Sequence, residues 1–260
     1  MSVKIKLPGV TLNYEIHGPK GAPWITFSHS LACSTRMWDP QTESLCKDYQ
    51  VLVYDTRGHG LSEATAGPYD VQMLAQDAYH LIQALGIQKT HFVGLSMGGM
   101  TGAQLALAHP EVIDHLVLAD TGHAATPAAN AAWQERMDLV QKDGIEALVE
   151  PTLKRWFTES FYNEGSPALL RVGDQIRHTP VTGLFGCIGA LMSLNLTDRL
   201  KEIRLPTLAI AGDQDPAAAN TMFMGAQIAA SKSVLLPSAS HIANVEQGAL
   251  FTQALRDFLK

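Results

Sequence analysis

The chain has 260 residues, with 19 Lys and Arg against 25 Asp and Glu, a formal charge of −6. At that length folding hides roughly 70–75% of the extended surface, enough for a core that needs no disulfide, metal or partner to complete it. Hydrophobic residues at 46% and charged residues at 17% exclude a disordered chain and a highly charged nucleic-acid binder, and the acidic balance gives no general attraction to phosphate backbones or anionic membranes.

VKIKL (3–7) and VTLNYEIH (10–17) alternate as an opening pair of strands through Pro8-Gly9. The pattern then switches to short apolar runs of the kind found in strands covered on both faces: ITF (25–27), YQVLVYD (49–55), THFVG (90–94), HLVLAD (115–120), LPTLAIAG (205–212) and KSVLLP (232–237). Helical segments separate them at 69–86, 97–110 and 248–260. In the first, Met73, Ala78, Leu81, Ile82 and Leu85 recur at helical spacing, with Gly86 as the C-terminal cap. Alternating strand and helix predicts an α/β fold, a mostly parallel sheet flanked by helices. Between 123 and 200 the alternation stops, and Trp133, Trp156, Phe157, Phe161, Tyr162 and Phe185 appear on helical patterning. The expected organisation is one core, residues 1–122 and 201–260, with a helical cap inserted at 123–200 over one end of the sheet. At least one of Trp133 and Trp156 is expected to touch the ligand space.

No apolar stretch before a cleavage site opens the chain, and no window of 18 apolar residues follows, so neither a signal peptide nor a membrane span is expected. Cys33, Cys46 and Cys187 are too scattered for a disulfide framework, which makes a reducing compartment, the cytoplasm, the expected home. Nothing in the sequence excludes a homo-oligomer.

The most informative string is THFVGLSMGG (90–99). Gly94, Ser96 and Gly98 fit GxSxG between a predicted strand and a predicted helix, the context of a nucleophile elbow. Ser96 would stand above the sheet while the helix beginning at Met97 points N–H groups at developing negative charge. A bare serine hydroxyl is a poor nucleophile, so a base and an orienting acid are required. Of ten histidines, His241 alone combines a position after the last predicted strand with one before the last helix. The order Ser, Asp, His points to Asp215 or Asp213. Asp215 is the candidate, and Asp120, at the end of HLVLAD, reads as a capping or turn residue.

A second oxyanion donor beside the Met97 N–H is expected from the loop after strand 25–27, SHSLACSTRMW, at the Leu31 N–H. Arg36 in the same loop is a candidate partner for a substrate carboxylate. In YDTRGHGLS (54–62), Asp55, Arg57 and His59 are expected to stabilise a tight turn. No HExxH, GxGxxG, Walker loop or Cys/His ligand set occurs, so neither a metal nor a nucleotide cofactor is expected.

The strings SHSLACSTRMWDP, YDTRGHGLS, GLSMGG, AIAGDQDP and SHIANVEQ together resemble the alpha/beta-hydrolase superfamily over nearly the whole chain. With RWFTESF (155–161) and the 186–200 segment they resemble, more narrowly, the 3-oxoadipate enol-lactone hydrolases. That resemblance implies a triad of Ser96, Asp215 and His241, oxyanion donors at Leu31 and Met97, and a five-membered enol-lactone with a carboxymethyl side chain as substrate, in the beta-ketoadipate route of aromatic catabolism. The chain departs from the family's pattern at His29, Ala32 and Ala217-Ala218-Ala219. The partner expected is a small lactone or ester, with no nucleic acid and no membrane. The competing expectations are an esterase or lactonase of other specificity, a carbon-carbon bond hydrolase using a similar triad, and a ligand-binding protein without turnover.

Overall fold

In the computed structural model, which describes residues 2–260, β1 (Val3–Leu7) and β2 (Val10–His17) form the predicted hairpin. The remaining strands are β3 (Trp24–Ser28), β4 (Gln50–Tyr54), β5 (Thr90–Leu95), β6 (Ile113–Ala119), β7 (Thr207–Gly212) and β8 (Ser231–Leu236). All eight make one sheet in the order β1-β2-β4-β3-β5-β6-β7-β8. β1 and β2 are antiparallel to each other, β2 is antiparallel to β4, and every other pairing is parallel.

Every residue of β5 and β7 is buried, because each central strand feeds a core on both faces. Phe92, Leu116 and Leu118 point to one side with Ala78, Leu81 and Ile82 of a helix. Val93, Leu95 and Val117 point to the other, with Trp38, Phe251 and Leu255. The covering helices are α1 (Asp39–Leu45), α2 (Val71–Ala84) and α3 (Met97–Ala108), joined near the C-terminus by α9 (Ala218–Gln227), α10 (Ala243–Glu246) and α11 (Gly248–Phe258). α2 starts at Asp70, whose carboxylate accepts the Met73 N–H, and is followed by Gly86 at φ +70°. Leu74, Ala75, Ala78, Leu81 and Ile82 form its buried face, while Met73 in the first turn and Leu85 at the C-cap are half-buried.

Between β6 and β7 five helices form a separate layer: α4 (Pro127–Asp143), α5 (Glu146–Trp156), α6 (Glu159–Glu164), α7 (Pro167–Arg177) and α8 (Val181–Met192). The chain enters and leaves this layer through a laced neck, where the Leu196 N–H donates to the His123 carbonyl at 2.7 Å and the Ala125 N–H to the Leu194 carbonyl at 2.8 Å. α8 is seated on the turn after β4 by backbone-to-backbone contact. A Cβ built on Gly183 would lie 2.0 Å from the Gly58 carbonyl oxygen, so any side chain there lifts the helix off. α4 is the opposite case, since Val140 is its only buried residue. Among the described residues no helix is long and apolar enough to cross a membrane.

Candidate active site

The C-terminal ends of the parallel strands converge beneath the helical layer, the usual place for ligands in such sheets. Ser96 follows β5 at φ 55°, ψ −115°, a conformation that L-residues adopt only when neighbours enforce it. The enforcing contacts are glycines: a Cβ on Gly94 would sit 2.0 Å from the Gly98 carbonyl oxygen, and one on Gly98 2.0 Å from that of Ser28. The Ser96 N–H donates to Ala119 at 2.9 Å, and Thr121 Oγ1 donates to the Ser96 carbonyl at 2.7 Å. Thr121 is itself fixed by Thr221, which accepts its N–H and donates to its carbonyl. These two threonines were invisible as partners, being 100 residues apart in sequence.

His241, on the loop after β8, places Nε2 3.0 Å from Ser96 Oγ and Nδ1 3.1 Å from Asp215 Oδ1. With the proton on Nδ1 the ring donates to Asp215 and accepts from Ser96. Asp213 is exposed on the same turn, while Asp215 is buried. Burial works to raise the Asp215 pKa, but the His241 charge, its hydrogen bond and the Ala217 N–H outweigh that and hold the carboxyl below its ordinary value. The histidine loop is anchored at both ends. Glu246 accepts the Ser240 N–H at 2.8 Å and the Thr158 N–H at 3.0 Å, and bonds the Thr158 hydroxyl as well. Asn244 Nδ2 donates to the Met37 carbonyl at 2.9 Å.

The loop bearing Leu31 is laced to the turn after β4 by two histidines. His59 Nε2 accepts the Ala32 N–H and His29 Nε2 the Thr56 N–H, each at 2.9 Å. Both rings are fully buried, and burial pushes their pKa values down, to about 4 for His29 and about 3 for His59, so both stay neutral acceptors. Asp55 adds the Thr35 and Leu61 N–H groups, and Arg57 pairs bidentately with the buried Asp77 at 2.5 and 2.6 Å. Among the described residues the Leu31 and Met97 N–H groups donate to no acceptor, and Leu31 lines the cavity with Ser96.

That cavity holds about 320 Å³. Trp133 and Trp156 both line it, and the Trp156 ring lies 6.0 Å from that of His241. Arg36 does not. The turn Thr35–Trp38 buries Met37 and Trp38 beneath the sheet, which rotates the Arg36 side chain outward, 63% exposed and 3.6 Å from Asp39. The cations in the cavity are instead Arg136 of α4 and Arg155 of α5. Arg136 stacks 4.3 Å over the Trp133 ring. Among the described residues neither guanidinium has a carboxylate partner within 4.0 Å. Burial lowers the Arg136 pKa, and burial together with the Arg136 charge lowers that of Arg155 to about 10. Sequence reasoning missed both, because which face of a cap helix turns inward is decided by packing that periodicity does not encode.

The sequence model for the alpha/beta hydrolase fold matches residues 23–247. The chain is 35% identical over 253 residues to 3-oxoadipate enol-lactonase 2 of Acinetobacter baylyi, covering 96% of this chain and 94% of that one. It is also 29% identical to a putative carbamate hydrolase of Agrobacterium fabrum, covering 95% and 98%. Among solved structures, the enol-lactonase from Burkholderia xenovorans superposes with a TM-score of 0.94 at 36% identity over 99% of both chains.

Proposed function

The chain belongs to the alpha/beta hydrolase family, and from that premise we propose that it is a serine-dependent carboxylic ester hydrolase that opens 3-oxoadipate enol-lactone, a small lactone carrying a carboxylate, to 3-oxoadipate. The observation that carries this reading is the pair of arginines without carboxylate partners, Arg136 and Arg155, in the same 320 Å³ cavity as Ser96 and His241. Two half-buried cations without a carboxylate partner are partly desolvated, and a substrate carboxylate supplies what they lack. The cavity sits at the small end of ligand pockets, which suits a compact ring. The likeness to the two enol-lactonases supports the same substrate.

In this mechanism Ser96 attacks the lactone carbonyl as its proton passes to His241 Nε2, and Asp215 stabilises the imidazolium. The tetrahedral oxyanion sits against the Leu31 and Met97 N–H groups, each such donor being worth about 3 kcal/mol. Ring opening expels an enolate oxygen, which takes the proton from His241 and tautomerises to the ketone. Water then loses a proton to His241 as it attacks the acyl-serine, and His241 returns that proton to Ser96 Oγ as the acyl bond breaks and the dicarboxylate product leaves. Trp133, Trp156 and the helical layer keep bulk water from the intermediate. The three free cysteines favour the cytoplasm as the working compartment.

The test is kcat/KM on freshly generated 3-oxoadipate enol-lactone beside an uncharged short-chain ester and an unrelated lactone. A preference of about 1,000-fold, roughly 4 kcal/mol, is expected; equal rates on the uncharged ester would remove the substrate assignment and leave the triad. Likeness to carbamate hydrolases favours a second reading, carbamate cleavage at the same serine, and faster turnover of a small carbamate in the same assay would select it.

A further inference from the structure

Behind the Ser96, His241 and Asp215 line lies a second carboxyl group, Asp120, which the sequence marked as a capping or turn residue. It is fully buried at the end of β6, with φ +44°. Its Oδ1 accepts the Gly212 N–H at 2.8 Å, and the Ala243 N–H at the start of α10 lies near its carboxyl without forming a hydrogen bond to it. The accounting of Asp215 is similar on one side only, since its Oδ1 takes both the Ala217 N–H at 3.0 Å and the His241 ring at 3.1 Å.

The remaining oxygens, Oδ2 of Asp120 and Oδ2 of Asp215, are both sealed from solvent and neither has a donor. The two side chains are within hydrogen-bonding reach of each other. Two ionised carboxylates cannot share such a place, because like charges so close and so dry repel strongly. One proton between them satisfies both orphan oxygens at once.

We propose that Asp120 is a positioning residue that stays protonated at neutral pH and donates its hydroxyl to Asp215 Oδ2, so that the hydrogen-bonded line runs Asp120, Asp215, His241, Ser96. The proton remains on Asp120 throughout turnover. Its work is to hold the Asp215 carboxylate in the plane that meets His241 Nδ1 and to keep water from that oxygen. Among the described residues the charged groups facing Asp120 are Asp215 and, through it, His241; the other contacts are the N–H groups of Gly212 and Ala243, and its own chain neighbours are Ala119 and Thr121. Burial first and the Asp215 charge second push the Asp120 pKa well above the ordinary carboxylate value, in accord with that arrangement.

This inference rests on the triad proposed above, and its tests separate the two. The infrared difference spectrum of the protein minus Asp120→Asn at neutral pH is expected to show the carbonyl band of a protonated carboxylic acid, a readout that needs no turnover. Absence of that band means an ionised Asp120 and overturns the proposal. The second test is stability. A group protonated in the fold but ionised when unfolded makes stability fall as pH rises above about 3.8, so the melting temperature of Asp120→Asn minus that of the parent is expected to grow from pH 4 to pH 8. A flat difference overturns the proposal. In the third, with p-nitrophenyl acetate as probe, Asp120→Ala is expected to lower kcat about tenfold at nearly constant KM, the loss of one buried hydrogen bond to a charged group, and Asp120→Asn, which keeps a donor, to recover most of it. Equal losses in the two variants would overturn the positioning role. Retained turnover in Ser96→Ala would instead sink the triad while leaving the infrared band in place.

Discussion

Ser96 is strained by its glycine neighbours before any substrate arrives, so replacing it with alanine removes the hydroxyl without changing the backbone demand. Ser96→Ala is expected to lower kcat roughly 10⁵- to 10⁶-fold with an unchanged melting curve. The arginines behave differently. Arg155 is held in the cavity beside a second cation against the cost of burial, so Arg155→Met is expected to raise the melting temperature while raising KM for the anionic lactone about tenfold, the loss of one charge-assisted contact, and leaving turnover of an uncharged ester near the parent value. A parallel loss on both substrates would show that Arg155 supports the fold and not the substrate. The serine and its histidine were legible because each sits where a strand ends and a helix begins, a boundary that composition alone marks. Arg36 was the expected partner for a substrate carboxylate and does not reach the cavity, since a short turn pointing Met37 and Trp38 inward leaves it no direction but out. The burial that underlies the role proposed for Asp120 was not legible, because an acid at a strand end looks like a cap until its surroundings are known.

At the scale of elements, two loops carry the proposed chemistry and each is tied by side chains that take no part in it. His29 and His59 bond the loop bearing Leu31 to the turn after β4, and they do so only when neutral. Their folded pKa values, about 4 and about 3, lie below the ordinary 6.5. The unfolded chain therefore binds more protons than the folded one in this window, and stability, complete above pH 6.5, is lost as pH falls toward 4 and 3. His59→Gln, which keeps an acceptor that does not titrate, is expected to flatten the slope of denaturation midpoint against pH between 6.5 and 4; an unchanged slope would remove His59 from the explanation. The His241 loop depends on Glu246, whose carboxylate joins Ser240 to Thr158. Glu246→Ala is expected to lower kcat about tenfold, in line with a displaced general base, with KM for the lactone little changed. The sequence showed that RGHG and HIANVEQ were turns with polar content. It could not show which turn each side chain served, because the partners that tie one loop to another lie far away in the chain, 27 residues for His29 and His59, 88 for Glu246 to Thr158 and 207 for Asn244 to Met37.

The whole molecule divides into a sheet with both faces covered and a helical layer attached through a laced neck. The opening hairpin and the mostly parallel sheet followed from the change in hydrophobic period, since alternation predicts a sheet face open to water and continuous apolar runs predict strands covered twice, whereas the strand order is not encoded in that period. The attachment of the layer did not follow, because it depends on Gly183 meeting Gly58, two residues that carry no side-chain signal. Within the layer the helices are held unequally. In hydrogen exchange, amides of α8 are expected to stay protected longer than those of α4, and a dicarboxylate such as adipate in the cavity is expected to slow exchange in α4 above all. Uniform protection across the layer would contradict the unequal burial of the two helices.

α4 contributes Trp133 and Arg136 to the cavity yet surrenders only Val140 to the interior. Under the proposed function, half of the aromatic and cationic contacts that the helical layer offers the substrate thus stand on a beam that holds up almost none of the building. Substitutions on its inner side are therefore expected to alter substrate preference at little cost to folding, while Ser96, His241 and Asp215 stay bolted to the sheet.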